Sequence, residues 1–430
     1  MQHRIDAALL IPGVGDPIRD ATVVIDDAVI AYVGPSARAP VLTAGAPERG
    51  DAGTTHVDVL MPGFWDSHAH FLGLPQVDLA SYSRTRTAQA AARATVDLGT
   101  ALSAGFTSVR ELGGLGLQIN PAIDDGTVLG PRVYGAGAIL SPTGGHGDIH
   151  SLPVDWMGDP AFAGHDVFAL ADGIPACLRA VRLQLRQGAK VIKVCASGGV
   201  LSELDHPLHQ QFSEEELRAI VEEAGRADRV VAAHCHGKAG IMAALRAGAR
   251  TIEHGTYLDR EAIDLMLERD AILVPTRFVI EGFLTMRDQL PVHAFDKLAR
   301  IADRHAEAVT LAIEAGITIA AGSDWSVSGP GGEERSREAV HLMNLGLAPL
   351  AAVAAITANG PLTVGPQARA SGRLEPGYDA DMIALDRDPL TDRSAWGDPR
   401  RVAQVWKAGR PVRPDDRRLA PRREWASSFE

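Results

Sequence analysis

Positive charge is in deficit, cysteine is scarce, and no long apolar run occurs anywhere in the 430 residues. Each shortage excludes something. The 42 Lys and Arg against 54 Asp and Glu leave a net charge of -12, which repels a polyanion unless a local basic patch overrides it. Nucleic acid is therefore not an expected partner. Cys177, Cys195 and Cys235 are too few for a disulfide framework, and none belongs to a CxxC pair, so free thiols in a reducing compartment are expected. No stretch reaches the roughly 20 apolar residues of a membrane span. The start, MQHRIDAALLIPGVG, lacks the basic region, apolar run and small-residue cleavage site of a signal peptide. The expectation is a cytoplasmic protein with no membrane contact. What is present, 46% hydrophobic and 22% charged residues, is the composition of a globular chain with ample core.

From Leu60 to about Ala320, short apolar runs ending in Gly or a polar residue alternate with stretches of helical period, the pattern of repeated β-α units. Eight runs are readable: Leu60 to Asp66, Phe106 to Glu111, Arg132 to Gly137, Lys190 to Ala196, Arg229 to His234, Arg250 to His254, Ala271 to Pro275 and Ile317 to Gly322. Eight strands in about 260 residues is the size of a (β/α)8 barrel, an α/β fold of TIM type. Helix ends are legible too: Ser213 to Glu216 forms a capping box, and Gly248 and Gly316 close two helices. Residues 1–59 and 372–415 read instead as short strands with Gly, Pro and Asp turns. Each set is too small for its own core, so one composite β-sandwich domain is expected beside a barrel over 60–371. Residues 416–430 read as a surface tail, and the Gly, Pro and His-rich segment 138–172 as a loop over the barrel mouth.

Barrel active sites lie at the C-terminal ends of the strands, which directs attention to the polar residues there. The first strand ends Asp66-Ser-His68-Ala-His70, with both imidazoles on one side by parity. Lys193, in KVIKVC, shares a face with Val191 and points inward. An ammonium there is costly unless neutral, paired or modified, so it is either salt-bridged to a neighbouring strand or carries CO2 as a carbamate. The fifth strand ends in His234-Cys-His236, the sixth in His254, and the eighth in Asp324. Alone, each histidine reads as a satisfied core or surface residue and Asp324 as a helix cap. Together they make a ligand set suited to zinc, cobalt, manganese or iron. Arg110 and Arg277, at the ends of strands two and seven, could bind a substrate carboxylate or pair with protein carboxylates such as Glu111 or Glu253.

This order, HxH, Lys, His, His and Asp, resembles the binuclear metal-dependent amidohydrolase superfamily. MPGFWDSHAH and GRLEPGYDADMIALDRDPL look like that family's entry into and return from the barrel. VIKVCASGG, GGHGD, AHCHG and IEHG look most like its prolidase-like and imidazolonepropionase-related group, which includes Xaa-Pro and Xaa-Arg dipeptidases and ochratoxin-type amidases. The resemblance implies two divalent metal ions, zinc foremost. His68 and His70 would hold one, His234 and His254 the other, with a CO2-derived carbamate on Lys193 as bridge and Asp324 completing the first. It implies hydroxide attack on an amide carbonyl, Asp324 as proton shuttle, His146 as a donor near the carbonyl oxygen, and His236 as a substrate contact. The substrate would be an Xaa-Pro-like dipeptide or an N-acyl or aryl-acyl amino acid, with a cyclic or xenobiotic amide, urea or carbamate as the alternative. The alternative of another class is a barrel that binds a ligand or partner without turnover. Such relatives are frequently homo-oligomers.

Overall fold

The computed structural model describes residues 2–41, 54–159 and 167–412. The two ends of the chain build one seven-stranded sheet. Its strands are β1 (Gln2–Leu10), β2 (Ile18–Asp26), β3 (Val29–Pro35), β4 (Thr55–Pro62), β14 (Met382–Leu385), β15 (Val402–Lys407) and β16 (Arg410–Pro411). They run in the order β16-β15-β14-β4-β1-β2-β3, with β4 antiparallel to β14 and parallel to β1, so the N-terminal and C-terminal halves share a ladder. The sheet curls until β3 is tied to residues 377–380 by backbone hydrogen bonds, Ile30 N to Tyr378 O and Ala380 N to Ala28 O. Period-two alternation then splits the side chains between two cores. Leu10, Leu60, Met382 and Ala384 pack inside the curl, whereas Leu9, Val59, Ile383 and Leu385 pack toward the barrel.

The barrel begins at β5 (Phe64–Ala69) and continues through β6 (Phe106–Glu111), β7 (Arg132–Gly135), β8 (Ile139–Ser141), β9 (Phe168–Leu170), β10 (Ile192–Cys195), β11 (Val231–Cys235), β12 (Thr251–His254) and β13 (Ile272–Val274). All neighbouring pairs are parallel. The TIM barrel with its small β-sandwich domain is thus the architecture read from the sequence, with differences in detail. Residues 60–62 belong to β4, so the first barrel strand starts at Phe64. The third run ends as read, where Gly137 takes a φ of +71°, but the chain resumes as a further strand just beyond it, β8, which pairs with β10 and with the added strand β9. The eighth place is filled by residues 318–321. They bond to Leu273 on one side and, through Ser67 N to Ala321 O at 2.9 Å, to β5 on the other, but only one formal bridge forms, Leu273 to Ile319.

The expected helix ends are present. Ser213 and Glu216 make a reciprocal capping box on Glu214–Gly225, and Gly248 closes Lys238–Ala247 with a φ of +97°. The loop expected at 138–172 contains β8, a one-turn helix at Val154–Met157 and β9; its residues 160–166 lie outside the described residues, as does the tail at 416–430. No helix among the described residues is long and apolar enough to cross a membrane.

Candidate active site

The strand ends meet at the floor of one cavity of about 940 Å³, counting its open mouth. His68, His70, His146, Lys193, His234, His236, His254 and Asp324 all line it. Asp324 Oδ1 lies 3.3 Å from His68 Nε2 and 3.1 Å from His70 Nε2, and those two nitrogens are 3.3 Å apart. Their other ring nitrogens are engaged, His68 Nδ1 with Glu253 at 2.8 Å and His70 Nδ1 with Gly113 O at 2.7 Å, which turns both Nε2 atoms to the cavity. His254 Nδ1 meets Thr276 Oγ1 at 2.7 Å and His236 Nδ1 meets Thr256 Oγ1 at 2.7 Å. His234 Nε2 meets Gly198 O at 3.2 Å, leaving its Nδ1 without a partner among the described residues.

Two groups place their ligand atoms within 4.8 Å of one another: His68, His254 and Asp324, and His234, His236 and His254. Burial, the largest cause, lowers His68 to about 4 and His236 to about 3 and takes His234 and His254 well below the usual histidine value. The imidazoles are neutral at physiological pH, with lone pairs available. Desolvation alone would raise Asp324, but His68, His70 and Lys193 outweigh it and hold the carboxyl at about 2. Neutral imidazoles converging with an ionised carboxylate in a buried floor is donor chemistry that fits divalent cations.

Lys193 points inward as its parity predicts, buried, with Nζ 3.4 Å from His68 Nε2. Among the described residues no carboxylate pairs with it, so the salt-bridge reading finds no partner here. Burial lowers its pKa, favouring the neutral amine. One placement could not be read by alternation. Glu253 faces the barrel interior, so its neighbour His254 would by period two face outward. A left-handed φ of +67° returns it to the cavity, and Thr276 and Asp324 have the same unusual backbone sign, +57° and +54°.

Neither arginine reaches the cavity. Arg110 is fully buried inside the barrel, where it donates to both oxygens of Glu253 at 2.8 Å and 2.9 Å, to Ser67 O at 2.5 Å and to Thr251. Its charge is spent on Glu253, the carboxylate partner the sequence offered, and not on a substrate. Arg277 is likewise committed to Glu281 and to the carbonyl of Ala302. Sequence reasoning missed the support beneath the floor. Thr276 stood at the end of strand seven, where the strand-end rule could have found it. Ser202, Asp205 and Lys297, which surround His146, carried no such signal.

Glu253 is the junction of that support, accepting from His68 and Arg110 together. Burial would raise its pKa, but Arg110, then His68 and Lys193, hold it at about 2. Because the folded value is depressed, its stabilisation is complete above the ordinary value of 4.5 and is lost as the pH falls toward 2. Glu253→Gln breaks a buried pair and frees His68. The expected cost is about 3–5 kcal/mol in urea unfolding. Roughly 10–100-fold weaker metal retention is expected in chelator competition. Unchanged retention would show that Glu253 does not orient His68.

The sequence model of the amidohydrolase family matches residues 59–412, which takes in the whole barrel and every residue of this floor. The chain belongs to that family. Ochratoxinase of Aspergillus niger is 46% identical over 417 residues, covering 94% of this chain and 85% of its own, and its crystal structure superposes with a TM-score of 0.87 over 95% of both chains. A prolidase solved in complex with N-methylphosphonate-L-proline is 32% identical, with a TM-score of 0.86 over 96% of this chain and 99% of its own. Imidazolonepropionase of Salinispora tropica is 27% identical over 86% of each chain. As an amidohydrolase this protein is a hydrolase of amide bonds, and its floor contains groups able to hold metal.

Proposed function

We propose that this amidohydrolase cleaves the C–N bond of N-acyl or aryl-acyl amino acids and, more slowly, of Xaa-Pro-like dipeptides, with two divalent cations, zinc foremost. The observation that carries the proposal is the union of the imidazole and carboxylate floor with an apolar wall. Leu72, Leu79, Phe168, Leu201, Phe283 and Leu298 line the same cavity. His68, His70 and Asp324 would hold one cation and His234, through its spare Nδ1, and His254 the second. Lys193, after its neutral amine adds CO2 and loses a proton, would bridge them. Bound cations of this kind supply an activated water and polarise a carbonyl. Asp324, ionised at neutral pH, takes the proton of the attacking water and returns it to the departing nitrogen. His236 presents its Nε2 to the substrate.

The 46% identity to ochratoxinase supports amide cleavage, and the prolidase likeness supports an amino acid on the leaving side. The wall favours a neutral acyl group. The amino terminus of a free dipeptide would bring an ammonium against leucine and phenylalanine, a costly burial. N-benzoyl-phenylalanine is therefore expected to show kcat/KM roughly 10–100-fold above N-acetyl-phenylalanine, with free polar dipeptides slower still. Release of phenylalanine, measured by liquid chromatography, decides it. Preference for polar dipeptides would overturn the acyl reading, and equal turnover of aryl amides without a carboxylate would move it to xenobiotic amides. A cytoplasmic homo-oligomer completes the proposal, on the strength of the family resemblance and three free cysteines.

A further inference from the structure

The loop that follows β10 supplies Val200 and Leu201 to the cavity wall, yet it has no ladder of its own. Among the described residues, 199–205 make no main-chain to main-chain hydrogen bond. Side chains hold the segment instead. Asp205 folds it back on itself, accepting from Gly199 N at 2.8 Å, from Gln211 Nε2 at 3.2 Å and from Ser202 Oγ. Ser202 Oγ also lies 2.9 Å from His146 Nδ1, and a Cβ at Gly199 would fall 2.0 Å from that imidazole, so the loop borders the floor as well as the wall.

The outer attachment comes from the helix Val292–Glu314. Lys297 Nζ donates to the carbonyls of Ser202 and Asp205 at 2.7 Å each and to that of Gly199 at 3.4 Å. An ammonium has three N–H donors, and here three carbonyls receive them. Asp205 Oδ1, 3.5 Å away, supplies the opposite charge in a place mostly shut off from solvent. One turn earlier on the same helix, His293 Nε2 meets the carbonyl of Leu201 at 3.2 Å. Leu298 and Ile301, next along that helix, line the cavity too. The ammonium therefore joins two parts of one wall, the loop with Val200 and Leu201 and the helix with Leu298. A ring of backbone carbonyls beside a carboxylate is also the donor set that replaces the hydration shell of a free monovalent cation.

We propose that Lys297 is a positioning residue for acyl selectivity: its ammonium acts as a tethered monovalent cation in a carbonyl cage and holds Val200 and Leu201 against Leu298, so that the apolar wall is complete only while the cage is filled. The selectivity half of this inference rests on the proposed cleavage of aryl-acyl substrates; the cage does not.

Two measurements on the full-length zinc-supplied protein test it. Hydrogen exchange over residues 198–210 is expected to quicken roughly 10-fold in Lys297→Ala in sodium chloride and to slow again in ammonium chloride at equal ionic strength, as ammonium enters the emptied cage. Tetramethylammonium is too large and should not restore it. Lys297→Met, whose chain fills the space without a donor, should loosen the loop and resist rescue. Unchanged exchange in Lys297→Ala, or a quickening that ammonium does not reverse, overturns the cage whether or not any amide is cleaved. The second measurement is the kcat/KM ratio of N-benzoyl-phenylalanine to N-acetyl-phenylalanine, in which any loss common to both substrates, including one through His146, cancels. It should fall roughly fivefold or more in Lys297→Ala, with metal content unchanged, and recover in ammonium. A ratio within about twofold of wild type while exchange has quickened overturns the selectivity role. Absence of a benzoyl preference in the wild type overturns the selectivity half together with the proposed substrate class, and exchange still decides the cage. Should Lys297→Ala fail to fold, Lys297→Met, which keeps the stem, decides by the same loosening and the same fall in ratio.

Discussion

Asp324→Asn, supplied with metal, is expected to keep its fold and metal and to lose turnover by roughly a thousandfold, about 4 kcal/mol of barrier. The substitution is chosen for the backbone as well as for the charge. Asp324 has a φ of +54°, and asparagine is among the few side chains that tolerate the left-handed region. The amide oxygen can still face His68 and His70, whose nitrogens stand 3.3 Å and 3.1 Å from the carboxylate. What the amide lacks is the ability to take a proton and return it. Elemental analysis and steady-state kinetics on one preparation check both halves. Full metal content with turnover within tenfold of wild type would remove Asp324 from the proton path.

Lys193→Ala is expected to have the next largest effect, seen first in metal stoichiometry. The wild type, prepared with metal and bicarbonate and without chelator, should hold two metal ions per chain; the variant should hold one or none and lose activity by a comparable factor. Lys193 is buried among strands, lacks a carboxylate partner among the described residues, and faces His68 across 3.4 Å. An ammonium in that position would cost several kcal/mol, and a bridging anion would not. No more than one ion in the wild type would sink the bridge and leave a mononuclear hydrolase to be argued.

Much of this molecule was legible before folding because its signals are local. The strand ends carrying His68, His234 and Asp324 follow from apolar runs with polar termini, and the capping box at Ser213 is a four-residue phrase. What escaped depends on long-range pairing. Arg110 and Glu253 are 143 residues apart, and only closure of the barrel turns a possible carboxylate receptor into an internal ion pair. The link from Asp205 to His146 joins two loops through a serine that looks like any other. The eighth strand was found by its composition, yet its sparse pairing could not be, since hydrogen bonding there depends on the path of two neighbours.

The shared ladder of the small domain orders events on the ribosome. β4 is complete at Pro62, but β14, which pairs along its far edge, begins at Met382, about 320 residues later. At the usual 5–20 residues per second, roughly 15–65 s pass in which that edge has no permanent partner. Throughout it, Val59, Leu60 and Met61 are offered to any strand that arrives first, which makes the emerging four-stranded N-terminal sheet a natural client for chaperones.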